Sequence, residues 1–167
     1  NIGAAAATGD VLVFLHADTT LPPAAVTEIR DALIDASASA GAFRFAAGDP
    51  DDAIDRLITR VGRWRDAVFG LPYGDQAIFV RAQDFRDLGG YPEIPTMEDH
   101  AFARTLARHG RIARTPSSAC SSTRAWREHG LVRTTAVNMA VIAGYRLGLD
   151  PERLAGWRRH ATARHAR

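Results

Sequence analysis

Three acidic positions in this sequence sit where a carboxylate can do chemistry instead of only facing water. They are Asp18 in H-A-D-T at 16–19, Asp75 in Y-G-D-Q at 73–76, and Asp99 in M-E-D-H at 97–100. His16 and Asp18 follow a short apolar run, V-L-V-F-L at 11–15, that reads as a buried strand. Residues alternating beyond the carboxyl end of such a strand share one side, where His and Asp can hold a divalent cation against phosphates. The same pair also suits a structural role, with Asp18 capping the next helix and His16 packing. Glu98-Asp99 opens a helical stretch. A carboxylate there can accept a proton from a hydroxyl if it faces a cleft, or can simply cap the helix dipole. Gly74 lets backbone approach a ligand closely, and Asp75 and Gln76 can bond either to sugar hydroxyls or to the loop's own amides.

A fourth stretch, S-S-T-R-A-W-R at 121–127, places Arg124 and Trp126 together. Arginine pairs with phosphate through its planar fork, and tryptophan stacks on rings; the bland reading is a basic helix start capped by Thr123. All 21 basic residues besides histidine are arginines. The absence of lysine excludes a P-loop, a Schiff-base lysine and any Ser–Lys dyad. The lone Cys120 excludes an internal disulfide and an all-cysteine zinc cage. A formal charge of +2, without aromatics interleaved on a basic face, argues against a nucleic-acid partner. His100, His109 and His129 lack metal-ligand spacing, and His160 and His165 lie in an Arg-rich end of the chain.

The elements that must position these groups alternate between strand and helix, so the expected class is α/β. A helix of about 15 residues is expected after Leu21-Pro22-Pro23, with Val26, Ile29, Leu33 and Ile34 on its core face. G-A-F-R-F at 41–45 reads as a strand. An amphipathic helix is expected over Ala53–Phe69, burying Ile54, Leu57, Ile58, Val61 and Trp64. Strand Ala77–Val80, a short helix near Gln83–Leu88, helix Glu98–Arg108, an extended Ile112–Ser122 and a mostly helical Arg124–Leu149 follow. Arg133, Asn138 and Arg146 interrupt 131–149, which therefore reads as a core or interface helix and not a membrane span.

The ordered series A-T-G-D-V-L-V-F-L-H-A-D-T (7–19), G-A-F-R-F (41–45), Y-G-D-Q-A-I-F-V-R (73–81), L-G-G-Y-P-E-I-P-T-M-E-D (88–99), R-x-L-x-x-x-G (104–110) and S-T-R-A-W-R-E-H-G-L (122–131) resembles family-2 glycosyltransferases. It is most similar to the bacterial subgroup described as radical-SAM/selenodomain-associated transferases. The resemblance implies a GT-A fold, a Rossmann-like three-layer α/β/α arrangement. It also implies a metal-dependent, inverting transfer of a sugar from a nucleotide-sugar donor to an acceptor hydroxyl, lipid-linked or small. Asp18, with His16 beside it, stands where such enzymes carry Asp-x-Asp, which holds Mn²⁺ or Mg²⁺ against the donor diphosphate. Asp99 matches the base of the Glu-Asp motif, with Glu98 at its side. Gly74, Asp75 and Gln76 match the loop lining the sugar cleft, and Arg124 and Trp126 match an Arg-Trp pair near the diphosphate.

The sequence departs from the family pattern in three places. His16 replaces the first acid of Asp-x-Asp. The glutamine that precedes Arg-Trp in processive enzymes is missing, which argues against a polysaccharide synthase. No I-I-P-x-x-N-E strand precedes Asn1. Residues 1–150 are thus expected to form the C-terminal two-thirds of a GT-A domain, incomplete at its N-terminus, with 151–167 a C-terminal helix and Arg-rich tail. Uncovered sheet edges would then favour a homo-oligomer. The implied location is cytoplasmic, including the inner membrane face. Two rivals remain. A haloacid-dehalogenase-type phosphatase needs a nucleophilic Asp where His16 stands, and a downstream Lys. A non-catalytic or truncated scaffold that binds no nucleotide alone is the other.

Overall fold

The computed structural model describes residues 1–163, with side chains through His160; the end of the expected tail, with His165, lies outside the described residues. The chain divides into two compact units. The first comprises Asn1–Pro92 and Asp99–Ser122, the second Glu93–Glu98 and the chain from Thr123 onward. The sequence reading put a boundary at 150 instead.

In the first unit the elements are α1 (Ile2–Ala6), β1 (Val11–Val13), β2 (Thr19–Thr20), α2 (Ala25–Ala32), β3 (Ala38–Ala47), α3 (Ala53–Phe69), β4 (Phe79–Arg81), α4 (Ala82–Asp87), α5 (Glu98–His109, its first residue grouped with the second unit) and β5 (Arg111–Ser121). The five strands make one mixed sheet in the order β1-β4-β3-β5-β2. β3 and β5 run parallel, while the β1–β4, β3–β4 and β2–β5 pairs are antiparallel. The class is α/β, as expected.

β3 is buried almost along its whole length because helices cover both faces of the sheet. Ala40, Ala42, Leu12, Ile78 and Val80 pack on one side with Phe85 of α4 and with Phe102 and Leu106 of α5. Phe43, Phe79 and Ala119 pack on the other with Ala25 and Ile29 of α2. The small residues have a purpose here: a Cβ at Gly41 would lie 2.2 Å from the Phe79 ring, which occupies that space across the strand pair.

Two helices differ from expectation. α2 spans only eight residues and leaves Val26 and Ile34 exposed. It closes at Leu33, whose amide turns back to the Ile29 and Arg30 carbonyls, and Asp35 accepts the Ser37 amide in the turn that follows. Hydrogen bonds from Ser37, joined by Arg111, lower the Asp35 carboxyl to about 2.

α3 has the expected bounds. Asp52 caps it by accepting from the Ile54 and Asp55 amides, and Gly70 closes it in the left-handed region at φ 72°. Its buried face, however, carries Asp55, Ile58 and Gly62, whereas Ile54, Leu57 and Trp64 are exposed. The reason is steric: Phe45 of β3 takes the space beside Gly62, where a Cβ would lie 2.3 Å from the ring. Gly62→Ala gains up to about 1 kcal/mol of helix propensity but overpacks a core ring, which costs roughly 1–3 kcal/mol. A net loss of about 1 kcal/mol is expected in urea unfolding, and a gain would overturn this packing.

The second unit holds α6 (Arg124–His129), α7 (Leu131–Arg146) and α8 (Pro151–Ala163). Gly130, at φ 87°, breaks what the sequence presented as one long helix. α7 and α8 approach closely at Gly144, whose missing Cβ would lie 2.8 Å from Leu154. Among the described residues no helix is long and apolar enough to cross a membrane.

Candidate functional site

Asp99 lies in the first turn of α5. Its Oδ1 accepts from the His100 amide at 2.7 Å, and its Oδ2 accepts from the Gly74 amide at 2.6 Å. Gly74 opens a short 3₁₀ turn, Gly74–Gln76. A Cβ at Gly74 would stand 2.5 Å from His16 Nε2 and 3.1 Å from Asp99 Oδ2, so any larger residue there must displace the His16 side chain. Three segments distant in sequence therefore converge on one point: the H-A-D turn, the G-D-Q turn and the start of α5. His16, Gly74 and Asp99, each singled out from sequence, are brought together.

The H-A-D segment is not the continuation of a strand. β1 ends at Val13, and the Thr19 amide donates to the His16 carbonyl at 3.0 Å, closing a turn. Strand alternation thus does not relate His16 to Asp18, contrary to expectation. Pairing of β2 with β5 anchors the turn, through a 2.7 Å bond between the Thr19 and Ser121 hydroxyls and the Ser122 amide donating to the Asp18 carbonyl. Ser121 Oγ also donates to the Asp75 carbonyl at 3.3 Å, tying β5 to the G-D-Q turn. His16 and Asp18 are both exposed. Among the described residues no three His, Cys, Asp or Glu side chains are grouped as cation ligands.

Asp75 and Gln76 are held from behind. Arg65 of α3 reaches Asp75 with both terminal nitrogens, at 3.1 and 3.2 Å, and Asp66 at 3.1 Å. Its guanidinium lies 4.1 Å from the centroid of the Tyr73 ring, and Tyr73 in turn stacks on His100. Gln76 is buried. Its Oε1 accepts from the Tyr73 amide, while Nε2 donates to the Phe43 carbonyl and to Asp66 Oδ2. With both N–H groups spent, Gln76 is a strut of the loop and not a surface that a sugar can touch, which corrects the expected contact. Asp75 offers its carboxylate to Arg65 first.

Burial pushes the Asp66 carboxyl up, with Arg65 opposing it. Burial also works against the Arg65 charge, but Asp75 and Asp66 outweigh it and hold the guanidinium firmly protonated.

Glu98, exposed at the helix start, belongs with the second unit, as do Arg124 and Trp126. Arg124 lies 4.0 Å from Glu128 one turn on, both exposed. Trp126 Nε1 donates to Thr135 Oγ1 at 3.3 Å, bracing α6 on α7. The described contacts of both side chains are thus structural ones within their own unit.

Sequence reasoning missed Arg65 and Asp66, and it gave no packing role to Tyr73 or His100. A usable signal was present: 55, 58, 62 and 65–66 recur at helical spacing in α3, on the face that turns inward. Ile58 is the one large apolar residue on that face, so the pattern of apolar residues alone points to the other side. No protein-family model matches the chain, and no curated protein matches it in sequence.

Proposed function

We propose that the chain carries the site of an inverting sugar transfer from a nucleotide-sugar donor to an acceptor hydroxyl, on a GT-A-type scaffold. The observation that carries the reading is the placement of Asp99, held by two backbone amides beside His16 and Gly74. Each carboxylate oxygen uses one lone pair on an amide and keeps another for a hydroxyl. The acceptor oxygen would bond to the anomeric carbon as the bond from that carbon to the donor phosphate breaks. The hydroxyl proton passes to Asp99, and the electron pair leaves with the nucleoside diphosphate.

Asp18 presents an exposed carboxylate that makes no bond among the described residues, with His16 in the same turn. Magnesium commonly takes one or two protein carboxylates and completes its shell with phosphates and water. These residues fit an ion shared with a donor diphosphate, which Asp18, and His16 beside it, would hold. Such an ion, when bound, neutralises charge on the leaving diphosphate.

The melting temperature in UDP, GDP and their sugar conjugates, with and without Mn²⁺, tests this. At a hundredfold excess over Kd a rise of about 5–10 °C is expected, requiring metal and one nucleotide and lost in Asp18→Ala. No shift with any pair would sink the donor site. That outcome would favour a scaffold that binds no nucleotide alone, a reading supported by the engagement of Asp75 and Gln76 with protein partners.

A further inference from the structure

Helix α3 buries Ile58 on its sheet but turns most of its other large apolar residues outward. Ile54, Leu57, Trp64 and Val68 are exposed by 46%, 46%, 58% and 54%, and with Val61 they recur at three- and four-residue steps along one stripe. A helix that only covers its own sheet buries such residues. Its charges divide just as sharply. Both acids of α3, Asp55 and Asp66, lie toward the interior, where Asp55 accepts the Asp49 amide and Asp66 meets Arg65 and Gln76. At 100° per residue, Arg56 and Arg60 flank one side of the stripe, Arg56 also donating to the Pro50 and Asp51 carbonyls. Arg63 turns back to the Phe45 carbonyl and Ser118, and the outward half of the helix carries no acid.

We propose that this face of α3 seats on an anionic lipid surface, with Trp64, Leu57 and Val68 entering the headgroup boundary and Arg56 and Arg60 meeting the lipid charge. Charge decides the occupant. A second copy packed stripe to stripe about Val61 would bring the two Arg60 side chains together with no acid to meet them. An uncharged lipid surface would leave the arginines without counter-ions. The proposal does not depend on the chemistry at Asp99.

Co-sedimentation of the full chain with vesicles tests it, using phosphatidylcholine alone and phosphatidylcholine mixed with phosphatidylglycerol. Binding is expected only to the anionic vesicles and is expected to fall as salt rises. Arg56→Gln/Arg60→Gln is expected to weaken it about thirtyfold, from roughly fivefold per arginine near such a surface. Leu57→Gln/Trp64→Gln is expected to abolish it. Both variants lie on an exposed face, and an unchanged melting temperature confirms that they are folded. Equal binding to both vesicle types, binding untouched by either variant, or no binding at all would overturn the proposal. Self-association in sedimentation equilibrium that Leu57→Gln/Trp64→Gln removes, without vesicle binding, would assign the face to a second copy instead.

Discussion

Asp99→Asn is expected to lower sugar transfer by about 10²–10⁴-fold, the usual contribution of a positioned general base, while leaving nucleotide-dependent thermal stabilisation in place. The geometry separates the two readouts. Asparagine retains one acceptor oxygen where aspartate has two, so either the Gly74 or the His100 amide loses its partner. One such loss costs roughly 1–3 kcal/mol of stability, a modest melting shift set against the loss of turnover. Asp99→Glu provides the complementary test. It keeps the basicity but pushes the carboxylate a methylene further into the space beside His16, so partial activity is expected. The measurement is initial rate with the donor identified by thermal shift. Turnover of Asp99→Asn within tenfold of the parent would remove the base from Asp99 and leave its carboxylate as the latch between α5 and the G-D-Q turn.

The second large effect is structural. Arg65→Met is expected to destabilise the chain by about 3 kcal/mol, the low end for breaking a buried ion pair by removing one partner. Asp66 and Asp75 side chains are only 15% and 22% exposed, so the variant strands two carboxylates with little water to replace the guanidinium. The sign with pH follows from Asp66. Burial already raises its carboxyl, and loss of Arg65 raises it further. Between the unfolded value and the raised folded value, the folded chain binds more protons than the unfolded chain. Stability of the variant relative to the parent therefore falls as pH rises through that window and recovers in mild acid. Urea unfolding of both proteins at pH 5 and pH 7.5 reads this directly. A deficit that is larger at pH 5 would show that Asp66 is not the stranded group. Arg65→Lys is expected to recover only part of the loss, because an ammonium cannot match the bidentate contact with Asp75 or lie flat on Tyr73.

Much of the architecture was legible in the sequence wherever the deciding interaction is local. Asp52 and Gly70 mark α3 because a cap and a left-handed closure act within one turn, and the helix has the expected bounds. Val11 and Phe79 sit in strands because short apolar runs between turn residues have few other uses. Gly74 and Asp99 were each singled out by residue type and position, and the structure brings them together. α2 was expected to run longer because Leu33 and Ile34 extend its apolar pattern, but the helix closes at Leu33 and the Asp35–Ser37 turn follows.

What the sequence could not decide was which partner each group takes. The Gly74 amide finds Asp99 across 25 positions, and Thr19 finds Ser121 across 102. Gln76 could serve a sugar or its own loop until Phe43 and Asp66 are seen to hold its amide. The stripe of α3 reads as a core face until Phe45 is seen to fill the space beside Gly62. Amino-acid type and spacing thus determined which segments are strand or helix and which residues can carry a proton or a charge. Tertiary structure alone decided which carboxylate is locked to Arg65, which is latched beside His16, and which side of α3 is left to face outward. Those outcomes rest on volume and desolvation at contacts far apart along the chain, and no local pattern encodes them.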